Sequence, residues 1–393
     1  MQKNYKKESK SIFIATLGFA LGMRQMAMTM VMPFLSTYSK TLKYNTPMLA
    51  GISLGIFGLM QAIFQIPYGI WSDKKGNKIV MVTGLFQVII GLIIAYFANN
   101  IYLLIFARAM QGSGAIIAVG YSWISSSVSN TKERMNAMSI ISTIVGAAAA
   151  SSFAFGPLIH GFVSVKNMFL YSAILIFIAW IIIVIFLKDS RNINVENSIA
   201  TKKVLNILIR DKSFVALNLG IFINNFIMTG VFFTIPQYLE NITGVDGMWK
   251  IFMPTVIIAI IIMRIAVKKL DNLGSIKFLI AAFILSGIGM LFYFNKDSFV
   301  FIFLGTLLFM IAYISIGTIV PTLANSILKD EYRGIGNGII NSLQYVGSFI
   351  GSIVVAAIWV ESEKIAFILI AIIGLLGGLI IKLYVNGERF DEK

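Results

Sequence analysis

Apolar residues run in long unbroken stretches along this chain, and polar ones are confined to short gaps between them. Twelve such stretches stand at roughly 12–38, 47–71, 79–98, 101–128, 136–161, 167–187, 213–239, 248–267, 276–295, 298–325, 336–360 and 363–385. A helix needs about 20 apolar residues to cross the hydrocarbon core of a bilayer, and each stretch supplies them. None alternates with the period of two that marks an outer-membrane strand. In lipid, a chain without a closed barrel can satisfy its backbone only as helices. The pattern predicts an all-α integral membrane protein with twelve transmembrane helices. The longest polar gap, 188–212, divides them into bundles of six at 1–187 and 213–385, with a tail at 386–393. Within the gap, Lys202 to Arg210 reads either as a helix lying on the membrane surface or as an extension of helix 7.

Composition agrees with the pattern. Hydrophobic residues make up 58% of the chain and charged residues 12%, and the mean hydropathy is +0.86. A soluble protein would carry about a quarter charged residues. The net charge of +15 could suggest nucleic acid, but the basic residues are scattered through the short gaps and form no patch. They read as topology signals. With helix 1 entering from the cytoplasm, 24 Lys and Arg fall on the cytoplasmic side and 6 outside, leaving Arg24 and Arg108 inside helices. That bias places both termini in the cytoplasm. The basic start, Met1 to Lys10, leads into the first apolar run without a small-residue cleavage site, so it reads as an anchor rather than a removable signal. The Ile-, Lys- and Asn-rich vocabulary is that of an AT-rich bacterial genome, which suggests a bacterial cytoplasmic membrane. Cysteine is absent, so disulfides are excluded. One histidine and no clustered carboxylates leave neither a metal site nor acid–base machinery. No enzyme and no cofactor are expected.

Between helices 2 and 3 lies a turn with the pattern Gly-x-x-x-Asp-x-x-Gly-x-Lys, formed by Gly69, Asp73, Gly76 and Lys78. Gly76 supplies the positive φ that a sharp reversal needs. The motif recurs as Asp271-x-x-Gly274, Arg134 after helix 4 has a counterpart in Arg333 after helix 10, and Pro33 one in Pro236. The offsets are 198, 199 and 203 residues. Three features in order at similar spacing argue for a duplicated plan. The turn resembles the gate motif of the major facilitator superfamily. Arg108-Ala-Met-Gln111-Gly112-Ser-Gly114-Ala115 resembles that family's second motif, and Ser152-Phe-Ala-Phe-Gly156-Pro157-Leu-Ile-His160-Gly161 the motif of its drug–proton antiporters. Gly22 to Pro33 together with Gly55 to Gly69 is similar to the YajR-type proton-coupled exporters, over about residues 15–160. Those exporters carry a soluble C-terminal domain, and this chain ends at Lys393 without one. Two positions depart from the pattern. Asn77 stands where the gate motif has an arginine, and His160 replaces the first glycine of the closing Gly-Gly pair.

Arg24 and Arg108 are the strongest candidate site residues. An arginine at mid-helix costs about 2.5–3.5 kcal/mol on insertion scales, so it faces a wet cavity or a partner. Arg108, Gln111, Ala115, Ser122 and Ser126 fall at helical spacing on one small, polar stripe. Tyr121 and Trp123 are candidate cavity residues, as are Asn224 and Asn225 on helix 7 and Asn341, Gln344 and Tyr345 on helix 11. Each could also serve as glue between helices. None of the seventeen acids lies in the middle of a helix. Two cations without a carboxylate favour an anionic or zwitterionic substrate, and any proton coupling must use Asp73, Glu133, Glu240, His160 or water held by Arg108. His160 reads equally as a packing residue near the outer end of helix 5. Gly146 to Ser152 followed by Gly156-Pro157 reads as a close-packing face and, by the resemblance, as a hinge.

The resemblance implies a monomeric secondary transporter in which two six-helix bundles rock about a central site, exchanging a small molecule for protons in the efflux direction. When the cytoplasmic side is closed, Asp73 is expected against the N-terminal end of helix 11, near Gly336 and Asn337. Glu133, Arg134 and Arg333 flank the same side. The competing expectations are a uniporter or uptake symporter for an organic anion or zwitterion, and a membrane sensor or scaffold that binds without transporting.

Overall fold

The computed structural model describes residues 2–128, 130–188, 201–270, 272–295, 297–329 and 332–385. Among these, twelve helical segments are long and apolar enough to cross a membrane: Ser11–Ser39, Pro47–Lys75, Asn77–Phe97, Ile101–Ser127, Glu133–His160, Val165–Phe186, Lys212–Thr243, Val245–Lys269, Gly274–Phe294, Phe299–Ile327, Ile335–Glu361 and Glu363–Tyr384. They are called spans 1 to 12. The boundaries follow the apolar runs because polar caps end them. Thr46, Asn100, Asn130, Ser164, Asp211 and Ser362 each accept a backbone N–H of the first turn that follows, satisfying donors that have no partner inside the helix. Along the spans, large side chains such as Ile174, Phe177, Ile185, Ile261, Ile265, Leu375 and Leu379 are exposed. So much exposed apolar surface is what a lipid-facing wall requires.

Packing repeats after six spans. Span 1 packs on 5 and 6, span 2 on 4, and span 3 on 4 and 6. In the second half, span 7 packs on 11 and 12, span 8 on 10, and span 9 on 10 and 12. The two main contacts across the halves, span 2 with 11 and span 5 with 8, map onto each other under the same shift. The architecture is two pseudo-symmetric six-helix bundles. The motif partner Asp271, linker residues 189–200 and the tail 386–393 lie outside the described residues. The described part of the linker forms a separate helix, Thr201–Arg210. It buries Val204 and Leu208 against spans 7 and 11, and Asp211 then starts span 7 afresh.

The halves touch at one rim and part at the other. Spans 2 and 11 meet along a stripe of small residues. A Cβ on Gly51 would lie 2.5 Å from the Ala356 methyl, one on Gly55 would overlap Ser352, and one on Gly58 would lie 2.8 Å from the Tyr345 carbonyl. Lys40 pairs with Glu240 at 2.9 Å, Ser36 donates to the Phe232 carbonyl at 3.4 Å, and Phe153 stacks on Phe232 with centroids 4.8 Å apart. Gly69 continues the span 2 stripe about three turns past Gly58, and Gly338 continues the span 11 stripe two turns before Tyr345. Neither has a described atom within 4 Å of where its Cβ would be. The rim bearing Lys40 is sealed, and the rim bearing the Gly69–Lys78 turn is open.

Candidate functional site

Span 4 is interrupted. Its helix runs from Ile101 to Ser113 and resumes from Ile117 to Ser127. Gly114, at φ −73° and ψ 61°, takes the inverse γ-turn conformation, and Ala115 N–H bonds back to the Ser113 carbonyl at 2.9 Å. A side chain at 114 would meet the Gly84 carbonyl of span 3 at 2.6 Å, so only glycine lets the break sit this close. The expected stripe through Arg108, Gln111, Ser122 and Ser126 is therefore not continuous. Arg108 and Gln111 belong to the segment before the break, and Ser126 to the one after it.

Arg24 of span 1 reaches this break. Its Nη2 donates to Gln61 Oε1 and to the Gly114 carbonyl at 3.3 Å. Arg108 Nη1 donates to Gln111 Oε1 at 2.8 Å, and the Gln111 amide is held in turn by the Gly91 carbonyl at 3.1 Å. Arg24, Gln61, Arg108 and Gln111 all have 0% exposure. Both guanidiniums also lie over one ring, Phe57, at 5.7 and 4.9 Å from its centroid. Every acceptor named is neutral. Arg24 Nε and Nη1 and Arg108 Nε and Nη2 find no acceptor among the described residues. A buried cation without a counter-charge is costly, and this cluster holds two of them.

The second half reaches the cluster through Tyr345 of span 11, whose phenol lies beside Arg24. Tyr121 of span 4 and Tyr313 of span 10 are its neighbours, and Tyr121 also shares a hydrogen bond with Ser142 at 2.8 Å. Asn341, Gln344 and Tyr345 are all part-exposed along span 11. Asn224 joins span 7 to span 10 through the Tyr313 carbonyl at 3.3 Å. Asn225 bonds the carbonyl of Ile221 in its own helix at 3.0 Å. Trp123 sits fully buried in the first bundle, edge-on to Phe13 at 5.6 Å. The structure thus groups Arg24, Arg108, Gln111, Tyr121 and Tyr345, and sets Asn225 and Trp123 in helix packing. Phe57, Gln61, Tyr313 and the Gly114 carbonyl join the group without having been singled out. Phe57 and Gln61 are four residues apart, on one face of span 2, and that spacing was the available signal.

At the open rim, Gly76 has φ 98° and its N–H bonds the Ser72 carbonyl at 2.9 Å, as the turn motif requires. Asp73 is exposed and no hydrogen bond or ion pair joins it to a described residue. The expected contact with the start of span 11 is absent, because this rim is splayed. Asn77, standing where the family has arginine, ties span 3 to span 4 through Ser126 Oγ at 3.1 Å. Lys78 donates to the Val184 carbonyl of span 6 at 2.8 Å. Glu133 donates its backbone N–H to the Asn130 cap Oδ1 at 3.1 Å, Arg134 follows it in the first turn of that helix, and Arg333 begins the helix that becomes span 11. Gly156 lets span 5 approach the Met30 carbonyl to 2.9 Å of its would-be Cβ, just before Pro157. His160 lies at the sealed rim. Its Nδ1 pairs with the Val163 carbonyl at 3.0 Å, and its ring meets Phe34 edge-on at 4.5 Å.

The model of the Major Facilitator Superfamily matches residues 17–352. The chain belongs to that superfamily. An uncharacterized transporter, BU466, of Buchnera aphidicola subsp. Acyrthosiphon pisum (strain APS) is 30% identical over 337 residues, covering 84% of this chain and 85% of the relative. The inner membrane transport protein YajR of Escherichia coli (strain K12) is 28% identical over 341 residues, 85% of this chain and 74% of that protein. Among solved structures, a bacterial homolog of the human lysosomal transporter Spinster, inward-facing and unoccupied, superposes with a TM-score of 0.76. It covers 98% of both chains at 13% identity, a likeness of fold alone. The superfamily member described here is a multi-pass membrane transporter, and not an enzyme.

Proposed function

We propose that this transporter works by alternating access in a bacterial cytoplasmic membrane, with both termini and the open rim on the cytoplasmic side, and that its substrate is a small organic anion. The rims support the mechanism: one contact stripe on spans 2 and 11 is tight from Gly51 to Gly58 and parted at Gly69 and Gly338. Rocking of the bundles would carry the seal from one end of that stripe to the other. The single observation that carries the substrate reading is the pair of buried guanidiniums at the end of the sealed stretch, compensated only by neutral acceptors.

The chain has no cysteine, so introduced thiols report cleanly. Gly69→Cys with Gly338→Cys, reacted with a short bifunctional maleimide, is expected to cross-link during turnover and to stop flux. Membrane-impermeant maleimide should reach Gly69→Cys in inverted vesicles and not in intact cells. A pair that never cross-links would end the rocking reading, and labelling from outside would invert the orientation.

A second reading is a proton-coupled exporter, supported by the resemblance of residues 15–160 to that class. Its protons have no mid-span carboxylate to ride on among the described residues, because Asp73, Glu133, Glu240, Asp246, Glu361 and Glu363 all stand near span ends. Flux in proteoliposomes with and without an imposed pH gradient separates the two. A gradient that leaves anion flux unchanged removes proton coupling.

A further inference from the structure

We propose that Arg24 and Arg108 form one two-point site for a small organic dianion, of the size of a short dicarboxylate, with Phe57 as the shared surface between the two charges. The proposal rests on the alternating-access reading and narrows its substrate. Two guanidiniums over one ring, both fully buried, repel each other in a medium that screens poorly. Gln61, Gln111 and the Gly114 carbonyl orient them without neutralising either. The nitrogens without acceptors are also placed for this task. Arg108 Nε and Nη2 lie along one edge of the guanidinium plane, the edge whose two N–H groups match the two oxygens of a carboxylate. Gln111 holds the opposite side of that group and is itself anchored to Gly91, so the free edge has a fixed direction. Arg24 offers Nε and Nη1, beside the phenol of Tyr345. A monoanion would leave one guanidinium uncompensated, whereas two acid groups on one ligand satisfy both. Phe57 and Tyr345 are part-exposed, so they mark the side from which a ligand reaches the two guanidiniums, with Tyr345 as the side chain that must turn aside to admit it.

The test uses the full chain in lipid nanodiscs, with succinate, glutarate and citrate as multivalent probes, butyrate as the monoanion and ethidium as a cation. Saturable thermal stabilisation and calorimetric binding are expected for at least one multivalent acid, at least tenfold tighter than for butyrate, with none for ethidium. Arg24→Gln and Arg108→Gln should each bring that acid down to the butyrate level, and the two lysine variants should retain an intermediate affinity. The wild-type ratio of dicarboxylate to butyrate decides the matter even where a variant fails to fold. Equal binding of butyrate and the multivalent acids, tighter binding of ethidium, or no saturable shift with any acid overturns the site. Cross-linking of Gly69→Cys with Gly338→Cys in the same preparation tells the failures apart. If the pair still cross-links, only the dianion site is lost; if it does not, the reading beneath it is lost too.

Discussion

The two rims are built from the same pair of spans, yet they differ in what holds them. At the sealed rim, spans 2 and 11 approach through Gly51, Gly55 and Gly58, so backbone meets backbone and no side chain keeps them apart. Dispersion over such a close contact is strong and needs no charge. At the open rim, the features expected to latch the halves are polar: Asp73 and the first turn of span 11. A carboxylate at a helix N-terminus is worth about 0.3–1 kcal/mol, rising to about 2 when partly buried. The difference teaches that the closed rim rests on shape, and the other would close on a weak electrostatic bond. An unoccupied transporter with these two seals has reason to rest open on the Asp73 side.

The comparison breaks most sharply at Gly55. A leucine there overlaps Ser352 and the Phe349 backbone, and overpacking of that kind costs about 1–3 kcal/mol. Gly55→Leu should unseat the seal, and Ser36→Cys, buried in this state, should become reactive to impermeant maleimide about tenfold faster or more. Gly112→Ala is the matching control within one bundle. Its Cβ would lie 2.2 Å from the Phe57 carbonyl, so thermal stability should fall by about 1–3 kcal/mol while the labelled rim stays the same. A smaller effect is expected at Lys40. The Lys40–Glu240 pair is part-exposed, and such pairs contribute about 0–1 kcal/mol. Lys40→Gln should raise Ser36→Cys labelling by no more than about fivefold. Lys40→Glu with Glu240→Lys should restore the original rate. Asp73→Asn should be the mildest. With no described partner in the open form, it should leave thermal stability unchanged and lower cross-linking of Gly69→Cys with Gly338→Cys by about twofold to fivefold. A loss of stability instead would mean that Asp73 already supports the open rim.

Much of this was legible in the apolar pattern, because spans in lipid answer to length and hydropathy alone. The twelve runs match the twelve spans within a few residues, and Asp211 shows why the linker helix is separate: its side chain caps Phe214. Arg24 and Arg108 stood out because charge inside an apolar run is rare. Gln111 and Tyr345 were also named, but Gln61 and Phe57 were not, since a single glutamine or phenylalanine in span 2 becomes informative only when other spans converge on it. The missed break at Gly114 has the same origin. Gly112, Gly114 and Ala115 kept helical spacing on paper, and nothing local announces that Gly84 of span 3 presses against that turn. Asn77 shows the opposite case. Its departure from the family pattern was visible, but its partner Ser126 lies one helix away.

The interruption of span 4 has a further consequence for how the transporter keeps a charge in its middle. An unbroken helix keeps its carbonyls within its own ladder, whereas the turn at Gly114 leaves one aimed at Arg24. A peptide dipole thereby does work that an aspartate would otherwise have to do. Because that dipole brings no net charge, it orients the guanidinium without neutralising it.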